Sequence, residues 1–275
     1  KGIMKTDHIF YRIFKQLPQT LFQLIGEAEI NLSNYKFESV EVKETSSIID
    51  GVLLPNNSEL PVYFTEVQFQ KKLNIYARLF SETFTYLKHN DPCSPWGAVV
   101  IFKNHNMEPD PKDRKYYEPL LQSSQVRRIY LSDLKLEDSP FLGIKIIRLI
   151  VASKKQVFTQ VPEVIKQVKE ETTEQTKQLD LLNLVETIVL AKLPKLSRKE
   201  LESMFGVEDL KRTTFAQEMR LEGKLEGKIE GELEGKIKTV PRLLAKGFSM
   251  QEVAEILELE ISQVRSVINS SNTVN

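Results

Sequence analysis

Two carboxylates sit in apolar surroundings in this sequence. Asp50 lies within Ile48-Ile49-Asp50-Gly51-Val52-Leu53-Leu54, and Glu66 within Val62-Tyr63-Phe64-Thr65-Glu66-Val67-Gln68-Phe69-Gln70. Both stretches are rich in the β-branched and aromatic residues that favour extended chain. Side chains alternate along a strand, so Glu66, Gln68 and Gln70 share one face while Val67 and Phe69 take the other. If the two strands pair through the turn at 55–61, Asp50 lies beside Glu66. An acidic pair on a half-buried sheet is costly unless a cation or hydrogen-bond donors satisfy it. Oxygen ligands in such a place suit magnesium or manganese rather than zinc. The plainer alternative is that Asp50-Gly51 is turn chemistry and that Glu66, Gln68 and Gln70 form the solvated face of an amphipathic strand.

The elements that must position these residues can be read from periodicity. Residues 7–25 carry a helical apolar face through Ile9, Phe10, Ile13, Phe14, Leu17, Leu21, Phe22 and Ile25, with Pro18 restarting or kinking it. At its start Asp7 and His8 either approach a metal site or, for Asp7, complement the helix dipole. A strand is expected around 39–43, followed by the Asp50 and Glu66 strands. Residues 74–89 read as a helix with Tyr76, Leu79, Phe80, Thr83, Phe84 and Leu87 inward. Arg78 in that helix is a candidate phosphate or carboxylate contact, because its planar fork suits both. Residues 96–102 are apolar on both faces, as in a strand covered on both sides. A strand over 125–131 and a helix over 141–152 follow. The order, α-β-β-β-α-β-β-α, predicts an α/β fold with a mixed sheet.

Ile49-Asp50-Gly51, Glu66-Val67-Gln68 and Tyr76-Ala77-Arg78-Leu79-Phe80 together resemble the PD-(D/E)xK nuclease superfamily. Within it they resemble the recombination-promoting nuclease (Rpn)/putative transposase group, over residues 4–153 and more loosely along the helical tail. The resemblance implies a restriction-endonuclease-like core and a metal-dependent DNA endonuclease linked to recombination or transposition. It implies that Asp50 and Glu66, with the Val67 carbonyl, hold Mg2+ or Mn2+. A Lys two residues after the second acid assists in most of the superfamily. Gln68 stands there in this sequence, and the resemblance implies that a Glu-x-Gln variant occurs among related nucleases. Lys71 or Lys72 offers a charge from the strand end. The alternative is a non-catalytic nucleic-acid-binding or protein-interaction protein that keeps the fold without the Lys.

Composition sets the outer limits. The 275 residues carry 38 Lys and Arg against 38 Asp and Glu, so overall charge gives no evidence for nucleic acid and any basic surface must be local. Lys112, Arg114 and Lys115, with Arg127 and Arg128, are candidates for it, although Asp110, Asp113 and Glu118 interleave. The single cysteine, Cys93, excludes an intramolecular disulfide and a cysteine zinc cluster, and suits a reducing cytoplasm. His8, His89 and His105 lack metal-ligand spacing. No apolar run is long enough for a bilayer span, so no membrane partner is expected.

Beyond 153 the strand signals stop. Helices are expected over 162–175 and 177–191, and Ser197-Arg198-Lys199-Glu200 is a capping box. Residues 221–237 repeat Leu-Glu-Gly-Lys with a four-residue period. On a helix this gives a Leu/Ile row flanked by Glu222, Glu226, Glu230 and Glu234 on one side and by Lys224, Lys228 and Lys236 on the other. Such a seam suits helix pairing, though it drifts by about 40° per repeat and so is no left-handed heptad coil. A homodimer through this region is expected; a partly helical linker is the alternative. Ser249-Met250-Gln251-Glu252 opens a helix and Ser262 caps a last one, a helix-turn-helix-like pair with Gln263, Arg265, Ser266 and Asn269 outward. Three cations against four acids over 241–269 leave a DNA role and a protein-interaction role open for this tip. The expected domains are 4–153 (nuclease-like), 154–212 (helical), 213–240 (repeat helix) and 241–270 (helix-turn-helix-like tip).

Overall fold

A computed structural model describes residues 6–27, 30, 34–42, 47–90 and 93–272. The N-terminal amphipathic run forms two helices, Thr6–Gln16 (α1) and Gln19–Ile25 (α2), because Pro18 between them has no N–H to continue the ladder and instead takes the N-cap place of α2. Then come strands Tyr35–Val42 (β1), Ser47–Pro55 (β2) and Val62–Gln68 (β3), helix Ile75–Asn90 (α3) and strand Trp96–Phe102 (β4). Two short helices, Pro111–Arg114 (α4) and Glu118–Leu121 (α5), lead to strand Val126–Tyr130 (β5) and helix Leu142–Val151 (α6). The predicted α/β element order is therefore present. β1 begins four residues before its alternating signal, because a bulge between Glu38 and Val40 breaks the two-residue period upstream.

The five strands form one mixed sheet in the order β1-β2-β3-β4-β5. β1–β2 and β2–β3 pair antiparallel, whereas β3–β4 and β4–β5 pair parallel. One face is apolar through Val62, Phe64, Ala98, Val100 and Phe102, which pack with Tyr76, Leu79 and Phe80 of α3. The even-numbered positions of β3 thus face α3, and alternation puts Glu66 and Gln68 on that side. On the other face Phe10 meets Phe69, Phe14 meets Phe37, and Phe22 packs edge-on against Tyr63. Tyr63 also lies over Gly97, where an added Cβ would stand 2.7 Å from its ring, so only glycine fits. Phe84, expected inward, is 43% exposed. It lies at the margin of the buried stripe, stacked on Phe80 and edge-on to Trp96.

Helices Lys154–Glu171 (α7), Gln175–Lys192 (α8), Arg198–Phe205 (α9) and Val207–Arg212 (α10) complete the first of two compact units, residues 1–213. α7 starts eight residues before the expected helix. Its N-terminus is fixed by a Ser153–Gln156 capping box, and Pro162 is accommodated inside it. α8 is tied to α1 by Gln16 Nε2 donating to Asp180 at 2.9 Å. The capping boxes at Ser197 and Ser249 both form.

The second unit, residues 214–275, contains helix Thr214–Ala245 (α11), which includes the four-residue repeat, then Met250–Leu257 (α12) and Ile261–Asn272 (α13). Val240, Val253, Ala254 and Val264 form its small core. Gly247, at φ +94°, ends α11 in the left-handed region that glycine adopts freely. α13 begins two residues earlier than a Ser262 cap implies, because Gln263 rather than Ser262 provides the cap contact, accepting from the Glu260 N–H at 2.9 Å. No helix among the described residues is long and apolar enough to cross a membrane.

Candidate active site

Glu66 is held on the α3 face of β3 with only 16% of its side chain exposed. Arg78, in the first turn of α3, makes an ion pair with Glu66 Oε1. Gln68, 2% exposed, donates from Nε2 to the same oxygen at 2.6 Å. Both donors converge on Oε1, and Oε2 takes no hydrogen bond from the described residues. Burial is the largest influence on the Glu66 carboxyl and pushes it up to about 7, with smaller contributions in the same direction from the charges of Glu82 and Asp7. Arg78 and the Gln68 amide oppose this without cancelling it.

Asp50 lies in β2, and Val52↔Phe64 and Leu53↔Tyr63 set the antiparallel register with β3. Extended by two residues, that register would set the Asp50 backbone opposite Glu66, but the observed pairs stop at Val52; the Asp50 side chain lies outside the described residues. Gly51 beside it is crowded, since a Cβ there would stand 3.1 Å from the Phe37 ring and 3.3 Å from the Thr65 carbonyl. Asp7 and Glu66 line one shallow depression with Phe10, Phe14, Phe37 and Thr65. That lining belongs to the face away from α3, so the depression does not set Asp7 beside the Glu66 carboxyl; Asp7 stands in the first turn of α1, where an acid complements the helix dipole, and its charge adds a minor upward push on Glu66. His8 does not line that depression.

Among the described residues, no group of three or more His, Cys, Asp and Glu is placed to hold a metal ion. The residues that are present nonetheless suit a hard divalent cation in kind. Glu66 offers an oxygen with open lone pairs, Asp7 is close enough to feel its charge, and the carboxyl remains under-compensated despite Arg78. Val67, whose carbonyl is the third expected donor, is buried within β3.

The remaining candidate residues are dispersed. Lys71 pairs with Asp110 at 2.9 Å, and Lys72 is exposed just past the end of β3. Arg265 is exposed on α13, in the second unit. The basic patch of 112–128 is largely turned onto acids. Arg128 donates to Glu108 at 3.1 Å, Arg114 lies 3.7 Å from Glu108 and also pairs with Glu118, and Arg127 reaches Glu27 at 3.4 Å. Glu108, which sequence reasoning missed, is the hub of this arrangement. Buried to 8% exposure, it also accepts from the Tyr76 hydroxyl and, at 2.6 Å, from the Tyr130 hydroxyl. Burial would raise its carboxyl, but the hydrogen bonds from Tyr130, Tyr76 and Arg128 prevail and hold it below the usual range. No spacing signal could have shown this, because three of its partners, Tyr76, Arg128 and Tyr130, lie 32, 20 and 22 residues away.

The chain belongs to a protein family of unknown function, DUF2887, whose model matches residues 6–205. That match spans the whole sheet, the acidic site and helices α7 to α9. No curated protein and no solved structure matches the chain.

Proposed function

We propose that this protein is a metal-dependent DNA endonuclease with a restriction-endonuclease-like core of the PD-(D/E)xK type, acting in recombination or transposition. The observation that supports this reading is the buried Glu66 carboxyl, with Gln68 on the same face of β3 and Asp50 in the neighbouring strand β2. Asp50, Glu66 and the Val67 carbonyl would hold Mg2+ or Mn2+, which when bound polarises the scissile phosphate and lowers the pKa of the attacking water. Gln68, nearly fully buried, presents a fixed amide suited to orienting a water or a phosphate oxygen. Arg78 is 41% exposed on its Glu66 contact, so its guanidinium can turn to a phosphate once the carboxylate has another cation. Lys71, Lys72 and Arg265 are further candidate DNA contacts.

A homodimer through α11 accords with this activity. Leu221, Leu225 and Ile229 are 74%, 60% and 57% exposed, an apolar row that pairing would cover. Two sites in one assembly suit double-strand cleavage. We place the protein in the cytoplasm, which suits a chain with one cysteine.

One observation favours a second reading. Arg78 already neutralises Glu66 in part, as it would in a non-catalytic protein that binds nucleic acid or another protein with the same fold. Plasmid cleavage separates the two. Magnesium or manganese should support nicking by the intact chain, and chelator or Asp50→Ala should abolish it. Cleavage absent under every metal condition, with the chain folded, selects the second reading.

A further inference from the structure

The C-terminal ends of β4 and β5 open onto a cleft on the face of the sheet away from Glu66. Its walls are Lys103 and Asn104 beyond β4, Leu131 and Ser132 beyond β5, Arg148 of α6, and Gln156 and Gln160 of α7, with a volume of about 260 Å³. That is just below the range of drug-sized ligand pockets and leaves room for a small ligand only. Open sheets with parallel strands receive ligands at the carboxyl ends of those strands.

The charge in this cleft is one-sided. Lys103 and Arg148 line it and no carboxylate does. With its amide oxygen turned toward Arg148, Gln160 accepts from Nε and Nη2, both at 3.0 Å, and Gln160 itself is 5% exposed. The guanidinium is thereby fixed in direction by a neutral group, so its charge stays uncompensated. Among the described residues neither Lys103 nor Arg148 forms an ion pair. Lys192 adds a third cation nearby. Its Nζ donates to the Ile150 carbonyl at 2.7 Å, and burial together with the charge of Lys103 holds its pKa down. Asp133, the acid next to Ser132, is occupied by Ser132 Oγ at 2.9 Å and His105 Nε2 at 2.7 Å. Like charges gathered without an acid are unfavourable, and an oxyanion relieves them. Beside the cations, Leu131, Leu134, Leu136 and Val151 give the cleft an apolar wall.

We propose that this cleft binds a small organic phosphate, a phosphomonoester whose phosphate is held by Arg148 and Lys103 and whose apolar part lies on Leu131, Leu134 and Val151. The site is independent of the Glu66 acids and of the endonuclease reading.

Calorimetric titration of the full chain with phenyl phosphate and with inorganic phosphate, at constant ionic strength, tests this. Saturable binding is expected, tighter for phenyl phosphate because of the apolar wall. Arg148→Gln and Lys103→Ala should each weaken it about tenfold or more, while Glu66→Gln leaves it unchanged. Lys103 is exposed, so Lys103→Ala keeps the test valid even if Arg148→Gln fails to fold. Absence of saturable binding, binding indifferent to Lys103→Ala, or binding lost in Glu66→Gln would each overturn the proposal.

Discussion

Gln68 and Glu66 stand two residues apart on β3 and face the same way, and the Gln68 amide donates to Glu66 Oε1 over 2.6 Å. On the endonuclease reading Gln68 takes the position of the superfamily's lysine, and here it is bonded to the acid beside it. A neutral amide at 2% exposure avoids the desolvation that a buried ammonium would suffer. On the endonuclease reading, Gln68→Ala should slow cleavage by about tenfold to a hundredfold, the scale of one lost positioned hydrogen bond, with metal affinity kept. Gln68→Lys should retain partial activity. Cleavage rates and metal titrations of the two variants check this, and indifference to both removes Gln68 from the mechanism.

The raised Glu66 carboxyl makes a signed prediction. Its folded value, about 7, exceeds its ordinary value of 4.5, so its contribution favours folding at low pH and is lost as pH rises from 4.5 through 7. Above pH 7 keeping it ionised costs roughly 3 kcal/mol. Glu66→Gln should therefore raise stability at pH 8 by up to about 3 kcal/mol and leave it nearly unchanged at pH 4, while abolishing cleavage. Denaturant unfolding at the two pH values decides it; an equal gain at both would mean that burial of the charge is not its source. The same logic predicts proton release when Mn2+ binds at pH 6 and little release at pH 8.5.

Glu108 should behave in the opposite sense. Its carboxyl lies below its ordinary 4.5, so its stabilisation is present above that value and disappears as the pH falls through the lowered one. Glu108→Ala leaves the Tyr76 and Tyr130 hydroxyls and Arg128 without their shared acceptor. A loss of about 3–5 kcal/mol is expected, the scale for removing one partner of a buried pair. Chemical denaturation at pH 7 measures it. A loss below about 1 kcal/mol, the scale of a single exposed ion pair, would show that the hub is not cooperative.

On α11, the apolar row at Leu221, Leu225 and Ile229 between its Glu and Lys rows is expected to pair two chains. Leu225→Asp with Ile229→Asp should dissociate that dimer, because each buried carboxylate would lack a partner. Light scattering at tens of micromolar reads the result directly. A monomeric mass for the unaltered chain identifies the repeat as a linker.

Features encoded within one strand or one turn were legible in the sequence. Glu66 and Gln68 announced themselves as polar residues in an apolar strand, and β2 and β3 pair antiparallel as neighbours, as expected of strands joined by the turn at 55–61. The boxes at Ser197 and Ser249 needed only a four-residue window. The start of α7 was obscured because Pro162 is the stronger local start signal, although the Ser153–Gln156 box was also there to read. Arg78 was identified as an anion contact without its partner, since the crossing of α3 over β3 is a tertiary fact. Glu108 and the Arg148–Gln160 cleft draw on residues from separate elements, and no single window contains them.

The change of strand direction at β3 has a consequence for assembly. β2 and β3 are joined by a short turn and pair antiparallel, so their contacts close a small loop and form early. The β3–β4 pairing is parallel and must wait for the crossover through α3. The backbone of the acidic strand pair is thus assembled from nearby chain, whereas Arg78 arrives with the slower step. Until α3 seats, the nascent hairpin holds Glu66 without its counter-charge; because salt screens the attraction that draws Arg78 to it, the rate of refolding should fall with ionic strength in the intact chain but much less in Glu66→Gln, as stopped-flow fluorescence of Trp96 can measure.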